Sequence, residues 1–220
     1  MKKFELTDEF ITNAFGNKLF RIKAIVDFGT IRAGELGGFV EKEENLSNDG
    51  NAWVSGNARV YGNAWVSDDA RISGNAQVSG NASVFGNAWV SGNARVYGNA
   101  LVYGNALVSG NAQVYGNAQV YGNARVYGNA WVSGNARVYD NADYAVVEGF
   151  GRYFRATTFF RCKDKILRVQ CGCFYGDLAE FREIVKKTHG DSKYAKEYLA
   201  IADLMELHFS DDEGRQEAAE

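Results

Sequence analysis

The 220-residue sequence predicts an all-β solenoid, a parallel β-helix of about five triangular coils, on three observations. A six-residue unit, Gly-Asn-Ala-x-Val-(Ser/Tyr), runs from about Asn51 to Ala142 with no insertion or deletion. Ala recurs at every sixth position from Ala52 to Ala142, and Val or Ile from Val54 to Val138. Turn-forming residues, mostly Gly-Asn, separate the short alternating segments. A period this strict means one structural unit stacked on itself.

Each unit reads as a strand followed by a corner. In Ala-x-Val-y, strand alternation sends Ala and Val to one face and x and y to the other. Gly accepts positive φ at no steric cost, and Asn tolerates it better than most residues. Three strands and three corners close an 18-residue coil, so the fifteen units give five coils. At a strand spacing of roughly 4.8 Å such a prism stands about 24 Å tall. Ala and Val suit its narrow interior, and stacked Asn side chains are expected to form ladders along each corner.

Four segments are expected: an N-terminal β-rich cap (1–50), the repeat region (51–142), a C-terminal α+β cap (143–209) and an acidic tail (210–220) that reads as disordered. A solenoid end is an open sheet edge, which explains why caps are needed. Residues 18–41 read as strands with glycine turns. Val40 and Leu46 share the phase of the repeat alanines, so the first coil begins imperfectly near them. Residues 144–175 read as a β-hairpin segment, alternating around Ile166, Arg168, Gln170 and Gly172. Two helices follow. Asp177 and Glu180 form a capping box before the stripe Leu178, Phe181, Ile184 and Val185, and His189-Gly190 ends that helix. Ser192 starts the second, whose apolar face is Tyr194, Tyr198, Ile201, Met205 and neighbouring leucines.

The unit Val-Ser-Gly-Asn-Ala-Arg resembles the hexapeptide repeat of left-handed parallel β-helices, in which an aliphatic residue recurs every six with a small residue two before it. The resemblance implies a left-handed coil, an exception to the right-handed crossovers of ordinary parallel sheets. A second resemblance covers nearly all of residues 1–209. Leu-Gly-Gly-Phe-Val-Glu-Lys-Glu-Glu-Asn-Leu (36–46), Thr-Thr-Phe-Phe-Arg (157–161), Cys-Gly-Cys-Phe (171–174) and Thr-His-Gly-Asp-Ser-Lys-Tyr-Ala-Lys-Glu-Tyr (188–198) are similar to parts of a largely uncharacterised hexapeptide-repeat family of phages and prophages. It implies a phage setting, and no established activity.

Composition excludes several function classes. The net charge is −3, and no segment is basic enough to serve as a footprint for long nucleic acid. Only Asp68, Asp69 and Asp140 are acidic in the coils, too few to mimic DNA. The start, Met-Lys-Lys-Phe-Glu-Leu-Thr-Asp-Glu, lacks the apolar core of a signal peptide, and no apolar run would span a bilayer. Three cysteines and no secretory signal point to a reducing, cytoplasmic setting in a bacterial host cell.

Acyltransferases on this β-helix need a histidine base, and related carbonic anhydrases need three zinc-binding histidines. Residues 51–142 contain no His, Cys, Glu, Lys or Thr, so the coils offer no general base. No enzyme activity and no cofactor are expected. Cys162, Cys171, Cys173 and His189 miss the paired spacing of a zinc site and read as reduced core cysteines and a helix-end histidine, with no metal. His208 also reads as a helix-end residue. Gly-Phe-Gly-Arg-Tyr-Phe-Arg (149–155) carries no phosphate-loop pattern and reads as a turn.

The outward positions are the candidate binding surface, because residues 18 apart stack in columns. One face carries Phe85, Tyr103, Tyr121 and Tyr139, with Trp65 opening the adjacent column. A second carries Tyr61, Tyr97, Tyr115 and Trp131, interleaved with Arg59 and Arg95. The third carries Trp53 and Trp89, with Arg71 and Arg125 between and beyond them. All four tryptophans are expected to point outward. Aromatics can simply stabilise strands as a ladder. Exposed tryptophans beside arginines instead suggest a contact surface. The expected function is a non-enzymatic phage protein that binds and blocks a host protein or protein complex, such as a CRISPR or other anti-phage effector. The alternatives are a homotypic assembly module, forming a dimer or trimer, a sponge for a small nucleotide signal and, least favoured, an acyltransferase-like enzyme.

Overall fold

A computed structural model describes residues 2–210, so the acidic tail beyond Ser210 lies outside the described residues. Two compact units divide between Asn141 and Ala142.

In the first unit, β1 (Phe4–Thr12), β2 (Lys18–Ala24) and β3 (Leu36–Val40) form an antiparallel meander. Fifteen two-residue strands follow, from β4 (Trp53–Val54) to β18 (Arg137–Val138). They sort into three parallel sheets, one per face, each strand pairing with the one 18 residues on. The expected phase holds throughout. Every repeat alanine from Ala52 to Ala136, and every Val or Ile from Val54 to Val138, is essentially inaccessible to solvent. The corner glycines sit at positive φ, and a Cβ added at Gly92 would come 3.0 Å from the backbone nitrogen of Gly110. Asparagine side chains form the expected ladders, as in Asn81 Nδ2 donating to Asn99 Oδ1 (3.1 Å) and Asn99 Nδ2 to Asn117 Oδ1 (3.0 Å).

The solenoid begins earlier than the repeat does. β3 pairs antiparallel with β2 on one side and parallel with Arg59–Val60 on the other, Val40 opposite Val60. Leu46 bridges in parallel to Val66. A partial sixth turn therefore precedes the five regular coils, beginning near Val40 and Leu46 as expected but not in the alanine phase: the offset here is twenty residues instead of eighteen, so both residues stand over the valines Val60 and Val66. β1 went unread in the sequence because Asp8 and Glu9 interrupt its apolar alternation.

This partial turn satisfies the downward carbonyls of the first coil. Phe39 N donates to Ala58 O (2.9 Å), Glu41 N to Val60 O (3.0 Å) and Ser47 N to Val66 O (2.8 Å). Between them the fully buried Asn45 donates from Nδ2 to Gly62 O (3.1 Å) and Ala64 O (2.8 Å). Two otherwise orphaned backbone acceptors thus depend on one amide.

Two repeat corners lack glycine, Asp68-Asp69 and Asp140-Asn141, and the first sits beside the N-terminal segment. Asp68 takes φ 56°, and its Oδ2 accepts from Gly86 N (2.9 Å). Lys3 is buried nearby, its Nζ donating to Gly50 O (3.1 Å). Burial lowers its pKa from 10.5 to about 8, against the opposing pull of Asp49 and Asp69.

The second unit opens with a four-stranded antiparallel sheet, β19 (Tyr144–Val147), β20 (Thr157–Arg161), β21 (Leu167–Cys171) and β22 (Phe174–Asp177), which contains the expected hairpin and extends it. Helices α1 (Leu178–His189) and α2 (Lys193–His208) follow. The Asp177–Glu180 capping box forms, Gly190 caps α1, and Ser192 caps α2. Phe159, Val169, Phe181, Val185, Tyr198, Ile201 and Met205 make the core. Ile184, Tyr194, Leu204 and Leu207 are exposed instead of lining it. Ala195 and Ala202 take their place on the buried face of α2, where small side chains allow close packing.

Replacing Asn45 by Ala should destabilise the first unit by about 1–3 kcal/mol, since one buried and one part-buried carbonyl lose their donor; chemical denaturation followed by circular dichroism measures it. A second expectation concerns pH. The unfolded chain holds the Lys3 proton up to about pH 10.5, whereas the folded chain releases it near 8. Folding therefore releases a proton between those values, and stability rises with pH across that window. The stability difference between wild type and Lys3→Met should be flat below pH 8 and shift in favour of wild type by about 2–3 kcal/mol toward pH 10.5.

Candidate interaction surface

The outward columns assemble as the 18-residue register requires. On the face that contains β6 (Trp65–Val66) and β18, Phe85, Tyr103 and Tyr121 stack nearly parallel. Their centroids are 4.9 and 5.0 Å apart, with interplanar angles of 3° and 10°. Tyr139, on the last coil, breaks the stack and meets Tyr121 edge-on at 61°. Trp65 heads the neighbouring column and is 47% exposed.

The second face carries a shorter stack. Tyr97 and Tyr115 lie parallel at 5.0 Å and 1°. Ser79 separates Tyr61 from Tyr97, so Tyr61 stands outside the stack. Tyr97 also donates from its hydroxyl to Gln113 Oε1 in the next column (3.2 Å). Arg59, Gln77, Arg95, Gln113 and Trp131 occupy that column in order. Trp131 and Arg59 are partly covered, while Arg95 is exposed.

Burial raises the Tyr97 phenol above its usual value, with Tyr115 adding to the shift and Arg95 opposing it. Burial also raises Tyr103, opposed by Arg137. These side chains remain neutral through physiological pH, as expected of rings stacked on their neighbours. Stacking at one strand spacing, with hydroxyls tied across columns, is how aromatics reinforce a sheet. The tyrosine columns are first of all ladders.

The third face differs. Its column runs Trp53, Arg71, Trp89, Leu107, Arg125. Trp89 is 48% exposed, and its Nε1 donates to Ser73 Oγ (2.9 Å) across to the serine column, which fixes the indole without burying it. Arg71 and Arg125 are also exposed. Among the described residues no carboxylate lies within ion-pair distance of Arg71.

Trp53 corrects the expectation of four outward-facing tryptophans. It points away from the coil interior but is only 4% exposed, because the N-terminal segment lies over it and the Phe28 ring meets it edge-on at 5.5 Å. It belongs to the core of the cap. The covering residues sit upstream of the repeat, where the period gives no signal.

The cysteines and histidines lie in the second unit. Thr157 Oγ1 donates to Cys171 Sγ (3.2 Å), Cys162 faces the Tyr175 hydroxyl, and His189 packs against Tyr194 and Tyr198. No group of three or more His, Cys, Asp or Glu among the described residues could hold a metal ion. Cys173 is exposed rather than a core residue. No helix among the described residues is long and apolar enough to cross a membrane.

Stability separates ladder from surface. Tyr103→Ala, which empties the middle of a three-ring stack, should cost about 1–3 kcal/mol. Trp89→Ala should cost under about 1 kcal/mol, because its ring is half in solvent. Equal losses at both positions in chemical denaturation would make Trp89 a structural residue.

The sequence profile of the YdcK Beta solenoid repeat matches residues 52–68, 76–92, 90–104, 94–110, 100–116 and 118–134, all within the coils. No curated protein matches the chain. With every matched segment lying on the stacked two-residue strands, the chain is a β-solenoid repeat protein whose coils are similar to those of YdcK.

Proposed function

We propose that this is a non-enzymatic binding protein whose rigid solenoid presents the Arg71–Trp89–Leu107–Arg125 column to a macromolecular partner. The observation that carries this reading is Trp89, held half-exposed by one hydrogen bond beside an unpaired arginine. Trp and Arg are enriched where a few residues dominate binding energy, and a fixed ring loses little entropy on contact. Trp65, equally exposed, offers a second anchor on a different face. The interior is closely packed alanine and valine, so the surface meets a partner with little rearrangement.

The sequence resemblance to phage and prophage proteins supports a partner in the bacterial host. The reading is a protein that occupies a surface of a host complex, such as an anti-phage defence effector, and blocks it. Affinity capture from host lysate, run in parallel with wild type and the folded Trp89→Ala and Arg71→Ala variants, tests it. A species held by wild type and lost by at least tenfold in the variants is the expected result. Capture unaffected by either substitution, or no captured species, overturns it. A stable trimer by light scattering, with the Trp89 fluorescence of a buried indole, would overturn it in favour of homotypic assembly.

A further inference from the structure

The loop between β19 and β20 has the composition of a contact site on the second unit, independent of the solenoid columns. Three large rings and two guanidinium groups stand in solvent within six consecutive residues: Phe150, Arg152, Tyr153, Phe154 and Arg155, with Tyr153 61% and Phe154 71% exposed. Apolar rings clustered at a loop tip are costly to hydrate, and such patches usually mark a contact.

The loop is built to hold that display. Its Gly151 N donates to Glu197 Oε2 (2.9 Å), tying it to α2. Gly151 lies against Tyr198 at positive φ, where an added Cβ would clash with the phenol, so glycine is strongly favoured there. Phe154 takes φ 52°, a left-handed conformation that disfavours a bulky side chain by on the order of 1 kcal/mol or more. Phe154 thus stays in solvent in a conformation that neither packing nor backbone preference rewards.

The charges are equally unspent. Both guanidinium groups lie over the Tyr153 ring, Arg152 at 5.5 Å and Arg155 at 4.8 Å from its centroid. Among the described residues no carboxylate stands within ion-pair distance of either. A guanidinium stacked on a ring keeps its in-plane N–H groups available to an anion. The loop therefore offers flat apolar faces alternating with cations a few ångströms apart. The ligand that matches this alternation carries planar rings joined by anionic links.

We propose that residues 150–155 bind single-stranded nucleic acid, with a base stacking on Phe154 and phosphates meeting Arg152 and Arg155, which the Tyr153 ring holds in place. Unpaired bases are required, because a duplex hides its ring faces. An acidic peptide would satisfy the cations but leave the rings without planar partners. The site is small, so its binding is weak and salt-dependent.

Fluorescence anisotropy of a labelled twelve-nucleotide oligothymidine or oligouridine with the full chain tests this. The expected dissociation constant is on the order of 10⁻⁵ M at low salt. The expected slope of log K against log salt is about −1.4 for two neutralised phosphates. Arg155→Ala should reduce that slope by about 0.7. Phe154→Ala should weaken binding roughly 5- to 100-fold with the slope unchanged. The same oligonucleotide in duplex form should bind several-fold more weakly. Circular dichroism confirms that each variant is folded. The proposal fails if no binding is seen at 50 mM salt, if Phe154→Ala binds as tightly as wild type, or if a polyglutamate peptide binds more tightly than the single strand, which would make the loop a surface for an acidic protein.

Discussion

The backbone ladder between residues eighteen apart is the constraint on which the first unit depends. Each two-residue strand is too short to persist alone, and it exists because the strands above and below share its register. One-residue slippage would bring the x and y side chains inward and turn Ala and Val to solvent. With Trp, Arg and Tyr at those positions the interior would not close. The invariant interior and the varied exterior are therefore two sides of one restriction, and the corners enforce it. A substituted glycine there would press on the backbone one coil away.

That restriction explains what could be read from the sequence. Columns follow from arithmetic, so the stack of Phe85, Tyr103 and Tyr121 and the Arg71–Trp89 neighbours were legible from position alone. The helix caps at Asp177 and Ser192 were legible because their chemistry is local. Trp53 was not, since its cover comes from Phe28 through a segment that has no period. Asn45 was also hidden. By count it falls on the ladder phase, eighteen residues before Asn63, yet the first turn pairs at an offset of twenty and its amide serves two carbonyls instead. Nothing in an asparagine's identity tells which way it faces. The loop at 149–155 read as a turn because its glycines are turn residues, and only the exposure of the rings between them gives it another meaning.

The two units hold their candidate contacts in different ways. On the solenoid, a ring is fixed by neighbours one coil away, and Trp89 is half shielded by its own ladder. On the loop, fixation comes from a single glycine against Tyr198 and one hydrogen bond to Glu197. The first arrangement is rigid along a whole face and suits a broad, flat partner. The second concentrates its groups at one point and suits a narrow, pliable one.

The asparagine ladders also have a direction. In each pair the earlier residue gives its amide hydrogen and the later one receives it with its oxygen, as from Asn57 to Asn75 to Asn93. Side-chain amides along a corner therefore point the same way, and their dipoles add instead of cancelling. The oxygen of the first member is left facing the N-terminal side, and at Asn63 it meets the ammonium of Lys42 (3.4 Å). Asp69 interrupts one such line. Its carboxylate accepts from Asn51 Nδ2 (2.6 Å) but has no hydrogen to pass on, so alignment at that corner restarts at Asn87. The corners thus behave as polarised rails, two continuous from the first regular coil and one cut short by a fixed negative charge.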